Sequence, residues 1–234
     1  MPDLLLKPFA QKKQISPHIS KIEFNFALII FSIWLVESDG LYFLVDTGLP
    51  ALVKYAIKQY FPQDLKAVFL THGHADHIGG LTEVRRAFSD LALVIDEREF
   101  PYISGELPYP NRKKPEKKVF EPGLFVTTSS QPGQDLLAQA GLKAIFSPGH
   151  APGHTCYYHE SDQVLIAGDL FTSSQSGKLR PPMKIFTADM AEALASGHEV
   201  LQRYPEALLS LCHGKDIKNA LVAFEVADGF RKAL

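Results

Sequence analysis

Three histidines and an aspartate, His72, His74, Asp76 and His77, fall within six consecutive residues, and no other feature constrains the fold so strongly. They follow residues 67–70 (AVFL), an apolar run that reads as a buried strand, and precede Ile78-Gly79-Gly80. On an extended backbone His72 and His74 share one side of the chain. Asp76 and His77 lie one turn further on and can face a neighbouring position. Imidazole and carboxylate are the ligands that borderline divalent metals prefer, zinc above all. One such cluster rarely completes a site, so the fold must bring further ligands to it from other strand ends.

Three segments offer them. His150 lies in Ser147-Pro148-Gly149-His150-Ala151-Pro152-Gly153-His154, Asp169 in Ala167-Gly168-Asp169, and His213 in Cys212-His213-Gly214. Each stands just past a short apolar run, beside a glycine that lets backbone approach closely. Together these ligand types are enough for two metal ions.

The remaining pattern alternates strands and helices. Asp39-Gly40 is the turn of a hairpin whose second strand, 41–45, ends in Asp46-Thr47-Gly48. Helices are expected at 51–60 and 81–88, and a strand at 91–95. Regular signals fade from 96 to 134, where six prolines, Phe100, Tyr102, Tyr109 and the basic run 112–118 occur. So long a loop in a compact domain is usually functional, and it is expected to line a pocket mouth. Further strands are expected at 143–146, 156–159, 164–167 and 207–211, and helices at 188–204 and 217–231. Grouped in this way, the elements fit a single α+β domain over residues 1–234, with two sheets packed together and helices outside.

Composition adds exclusions. With 24 Lys+Arg against 26 Asp+Glu, the net charge of −2 gives no electrostatic reason for a nucleic-acid or anionic-membrane partner. The opening MPDLLLKPFAQKK has too short an apolar core for a signal peptide, and the apolar stretch 24–36 is too short to span a bilayer. Two cysteines form no disulfide framework, which suits a cytoplasmic location.

The motifs Thr-His-Gly-His-Ala-Asp-His-Ile-Gly-Gly (71–80), Asp46-Thr47-Gly48, Pro-Gly-His-Ala-Pro-Gly-His (148–154), Gly168-Asp169 and His213-Gly214 resemble, in order and spacing, those of the metallo-β-lactamase-fold hydrolases. The resemblance implies a four-layer αβ/βα sandwich of two mixed sheets flanked by helices. It also implies that His72, His74 and His150 bind one metal, that Asp76, His77 and His213 bind a second, and that Asp169 bridges them. Zinc is the first expectation, with iron and manganese as alternatives. Asp46 would steady the His-rich loop from behind, and His154 would support by hydrogen bonding.

Two metals roughly 3.5–4 Å apart can hold a water whose pKa falls to about 7, and its hydroxide attacks a carbonyl or phosphorus centre. Asp76 or Asp169 would take the proton. The expected substrate is a small ester, thioester or lactone. A phosphodiesterase of the same fold and a mono-iron oxidoreductase resembling the persulfide dioxygenases are the alternatives. The second-site Asp76-His77 pair departs from the commonest zinc β-lactamases. Thr172 stands where quorum-quenching lactonases carry a tyrosine, and the helix after His213 is short for glyoxalase II. His18, His159 and His198 are expected to be ordinary surface or core residues, Cys156 and Cys212 to pack in the core, and Arg180 or Lys184 to steer a substrate carboxylate or lie on a plain loop.

Overall fold

A computed structural model describes residues 9–26, 29–226 and 230. The opening residues 1–8, Ala27 and Leu28 of the apolar stretch, and the expected helix end at Arg231 lie outside the described residues.

The first half of the chain builds a seven-stranded sheet in sequential order. Strands β1 (Ala10–Gln14), β2 (Ile19–Phe26), β3 (Ile29–Ser38) and β4 (Leu41–Val45) form an antiparallel meander. Its β3–β4 turn puts Asp39 at φ 50° and Gly40 at φ 77°. These are the left-handed conformations that an Asp-Gly hairpin turn needs. Helix α1 (Pro50–Gln59) then crosses back, so that β5 (Leu65–Phe69) pairs parallel with β4. Short helices α2 (Ala75–Ile78) and α3 (Leu81–Ala87) lead to β6 (Ala92–Ile95), again parallel.

Residues 96–134 are more ordered than their proline content predicts. They contain α4 (Phe100–Ile103), β7 (Val126–Thr127), which closes the sheet, and the start of α5 (Gln131–Gln139). Pro132-Gly133 reads as a breaker, yet it occupies the first turn of α5, where a missing N–H costs nothing. Ser130 caps that turn by accepting from Gly133 N at 3.3 Å.

A four-stranded sheet follows, in the order β13-β10-β9-β8, from β8 (Leu142–Phe146), β9 (Thr155–His159), β10 (Val164–Ile166) and β13 (Leu208–Ser210). Between them lie the ribbon β11 (Thr172–Ser173) and β12 (Leu179–Arg180), then α6 (Met190–Arg203). Helix α7 (Ala220–Val226) starts later than expected, because Ile217 pairs with Leu209 instead.

Both sheets are mixed and both are covered by helices. Trp34, Val36, Phe43 and Phe69 of the first pack against Tyr157, Val164 and Ile166 of the second, all buried. Two further apolar clusters join each sheet to its helices. The layers are therefore helix, sheet, sheet, helix, the expected α+β sandwich. No helix among the described residues is long and apolar enough to cross a membrane.

Candidate metal centre

Every ligand candidate named from the sequence arrives at one end of the two sheets. The turn after β5 carries His72, His74, Asp76 and His77, the turn before β9 carries His150, the turn after β10 carries Asp169, and the turn after β13 carries His213. The local backbone is shaped for this convergence. At Gly73 a Cβ would collide with Ile103 and the Tyr109 hydroxyl. Gly168, at φ 48°, lies where a Cβ would meet Thr71 and His154 at 2.9–3.0 Å.

The donors form two joined groups. His72 Nε2 lies 2.9 Å from His74 Nδ1, and His150 Nε2 lies 3.1 Å from that same nitrogen. In the second group Asp169 Oδ1 stands 3.3 Å from both His77 Nε2 and His213 Nε2. Asp76 Oδ2 is 3.1 Å from His213 Nε2 and 3.8 Å from His77 Nε2. The other oxygen of Asp169, Oδ2, reaches back to His150 Nε2 at 3.5 Å. One carboxylate thus spans both groups.

The surroundings fix which ring nitrogen points inward. Asp46, fully buried, accepts from Thr71 N and Thr71 Oγ1 at 2.8 Å each and from His77 Nδ1 at 2.7 Å. Thr71 Oγ1 gives its hydrogen to Asp46, so it accepts from His72 Nδ1 at 3.1 Å. Thr187 Oγ1 donates to Met183 O at 2.9 Å and so accepts from His150 Nδ1 at 3.2 Å. His213 Nδ1 donates to Ile30 O at 2.8 Å. With each Nδ1 proton committed, His72, His77, His150 and His213 all aim a bare Nε2 lone pair inward. Buried donors and acceptors normally find partners. Here His77 Nε2, His213 Nε2 and Asp169 Oδ1 are buried without one. Lone pairs facing lone pairs need a cation between them, so this donor set fits divalent metal ions.

Electrostatics divide the two groups. Burial, reinforced by neighbouring histidines, holds His72 and His74 well below the usual imidazole range and keeps them neutral. His150 is pushed down to about 4, mainly by burial. Burial also opposes charge on His77 and His213. There the acidic neighbours, Asp169 and Cys212 foremost, outweigh it and raise both, so a cation held by these two rings takes the place of a proton at Nε2.

Supporting residues show what sequence patterns could and could not reveal. His154, fully buried, donates from Nδ1 to Ser147 O at 3.1 Å and accepts Asp169 N at Nε2, 3.3 Å away. It holds the backbone of Asp169. Glu99 was not anticipated. Its buried carboxylate accepts Gly73 N at 2.9 Å, Gly153 N at 2.6 Å and the Tyr109 hydroxyl, tying together the two histidine-bearing turns. Nothing around Glu99 in the chain signals this, because both glycines are distant in sequence.

Cys212 packs in the core with Sγ 3.5 Å from Ser32 O, yet Sγ also lies within 4.8 Å of the ligand atoms of His77, Asp169 and His213. Cys156 is buried, and burial pushes its thiol up to about 12. Beside the centre lies a cavity of about 330 Å³ whose apolar wall is Ile29, Phe31, Leu49, Met183 and Phe186. The cation on its lining is Arg112, not Arg180 or Lys184. Its guanidinium sits over the Tyr109 and Phe186 rings, with centroids at 5.4 and 5.5 Å.

Residues 32–213 match the family model of the metallo-beta-lactamase superfamily. The chain is 34% identical over 210 residues to "Probable metallo-hydrolase YybB" of Bacillus subtilis (strain 168), covering 88% of this chain and 91% of that protein. It is 28% identical over 197 residues to a hydroxyacylglutathione hydrolase of Yersinia pestis (strain Pestoides F), covering 83% of this chain and 66% of the other. Among solved structures, TTHA1623 in a di-iron-bound form superposes with a TM-score of 0.59 at 23% identity, over 82% of this chain and 92% of that one.

Proposed function

The chain belongs to the metallo-beta-lactamase superfamily and is a metal-dependent hydrolase; from that premise we propose that it holds two divalent cations and cleaves small esters, thioesters or lactones. His72, His74 and His150 would hold one cation and Asp76, His77 and His213 the other, with Asp169 placed between the two groups to serve both. The observation that carries this reading is the set of inward-facing lone pairs, each fixed by a committed Nδ1 proton on its far side. Imidazole with carboxylate suits zinc, iron and manganese alike.

Bound there, two cations would polarise the scissile carbonyl and lower the pKa of a water between them to about 7. The protein's own groups do the rest. Asp46, Thr71, Thr187 and the Ile30 carbonyl hold the imidazoles in position before substrate arrives. Of the two carboxylates, Asp76 is the open one, its side chain 27% exposed against 4% for Asp169. Asp76 therefore takes the proton that the attacking water gives up, and Asp169 stays a fixed bridge. The apolar wall of Ile29, Phe31, Met183 and Phe186 receives the acyl group and sheds water from it. A mono-iron oxidoreductase would use one donor group and leave the other's buried lone pairs facing each other, which supports the dinuclear reading over it.

The test is a hydrolysis panel of esters, thioesters, lactones and phosphodiesters with the metal-loaded protein. Carbonyl substrates should turn over, and His72→Ala should lower kcat/KM by more than the roughly 10–100-fold expected for losing a supporting contact. Turnover of phosphodiesters alone would contradict the proposal.

A further inference from the structure

The cavity beside the donors does not end at Arg112. A second hollow of about 460 Å³ opens on the other side of that guanidinium, sharing Leu49, Ala75 and Arg112 with the first. The two differ in the charged groups they carry. Both expose chiefly apolar surface, but the charged side chains of the first are the metal donors and Arg112, whereas those of the second are Arg112, Lys114, Lys117 and Lys118 against one carboxylate, Glu116. Glu116 is already paired with Arg112.

This basic segment is anchored rather than trailing in solvent. Before it, Asn111 Nδ2 donates to Thr187 O at 2.5 Å and Ala188 O at 2.7 Å. After it, Phe120 N bonds to Ile103 O at 2.7 Å, and Lys118 Nζ donates to Gly79 O at 2.7 Å. Leu49 and Pro50 open α1 onto the same hollow. That ten-residue helix has no side-chain cap and no acid in its first turn, so its positive end adds to the field.

We propose that the second hollow binds the phosphorylated part of a leaving group, making the substrate a thioester of an apolar acyl group on a phosphate-bearing thiol carrier. The inference rests on the hydrolase reading above. Lysines on flexible stems act as point charges suited to a polyanion, whereas a lone carboxylate favours a free bidentate arginine. Arg112 is committed to Glu116. A thiol rather than an alcohol follows from the absence, among the described residues lining the first cavity, of a side chain outside the donor set that can give a proton. Arg112 there does not release one. A thiol, with a pKa of about 8.5, leaves as its anion without such help. In the balanced step, water gives one proton to Asp76 and forms the new C–O bond as the C–S bond breaks; that proton and the one lost by the new carboxylic acid pass to solvent. The C–S electron pair departs on sulfur, which then takes up a proton from solvent. The products are a carboxylate and a thiol, with no change of oxidation state.

The experiment compares butyryl-coenzyme A, butyryl-phosphopantetheine and the phosphate-free butyryl-N-acetylcysteamine on the metal-loaded protein. KM should rise as phosphate is removed, with kcat little changed. In Lys114→Gln/Lys117→Gln, KM for the coenzyme A ester should rise about tenfold while the phosphate-free ester is unaffected, two partly screened contacts together giving that factor. Added salt should mimic the double variant. Equal KM for all three thioesters in the unaltered protein overturns the proposal. Binding of desulfo-coenzyme A, followed by calorimetry, gives a readout without turnover: saturable binding weakened by the double variant supports the phosphate site, and no binding overturns it. Binding without hydrolysis of any of the three overturns the thioester assignment, whereas the hydrolase reading beneath it falls only if the esters and lactones of the wider panel also fail to turn over.

Discussion

At one end of the packed sheets His77, Asp169 and His213 set a carboxylate between two imidazoles; at the other, His18, Asp162 and His159 do the same. The two clusters stand at opposite ends of β9, which His154 precedes and His159 closes. Their polar atoms differ. Asp162 accepts His18 N at 2.9 Å and His18 Nδ1 at 2.7 Å, and Ser161 Oγ lies 3.4 Å from His159 Nδ1. That cluster is satisfied by its own hydrogen bonds and clasps the turn before β2 to the turn after β9. At the other end, Nε2 of His77 and of His213 and Oδ1 of Asp169 are buried with no partner. Residue type alone does not mark a metal centre. What marks it is burial without satisfaction, enforced by partners behind the rings.

That contrast can be broken in graded steps. Asp169→Ala removes the one side chain shared by both donor groups, and should abolish measurable hydrolysis and most bound metal, checked by steady-state kinetics and elemental analysis. Asp46→Ala removes the acceptor behind His77 while touching no metal, and should weaken metal affinity by about 10–100-fold in a chelator competition. Glu99→Ala strands the N–H groups of Gly73 and Gly153, which at about 1–3 kcal/mol should lower Tm by several degrees and raise metal off-rates.

The smallest effect is expected at the opposite end. Asp162→Asn should leave metal content and kcat/KM unchanged and alter only how Tm depends on pH. The hydrogen bond and charge of Asp162 raise His18 above its ordinary 6.5. The clasp is therefore fully present below pH 6.5 and fades as pH rises through the raised value. Thermal melts from pH 6 to 9 should show that loss in the unaltered protein and a flatter profile in the variant. A fall in metal content in Asp162→Asn would erase the distinction between the two ends.

Much of the centre was legible in the chain because its ligands are local. His72 to His77 share one turn, and each remaining donor follows or precedes an apolar run beside a glycine. The Asp39-Gly40 hairpin was equally local. Glu99 and Arg112 were not legible, since their roles exist only once turns distant in sequence meet. Nearness to Asp169 in sequence leaves Arg180 and Lys184 open either to steering a carboxylate or to lying on a plain loop, whereas the fold places Arg112 on the cavity lining. Two-residue strands such as β7, β11 and β12 owe their conformation to a partner strand and carry no pattern of their own. The α5 start at Gln131 was hidden by Pro132-Gly133, residues that break a helix in its middle but not in its first turn.

The number of cations the donors hold separates a dinuclear centre from a mononuclear one. After metal loading and dialysis against metal-free buffer, elemental analysis should find about two equivalents of divalent metal per chain, falling to about one in His77→Ala/His213→Ala, where the first donor group is intact. One equivalent or none in the unaltered protein, or two retained in that double variant, would contradict the dinuclear reading.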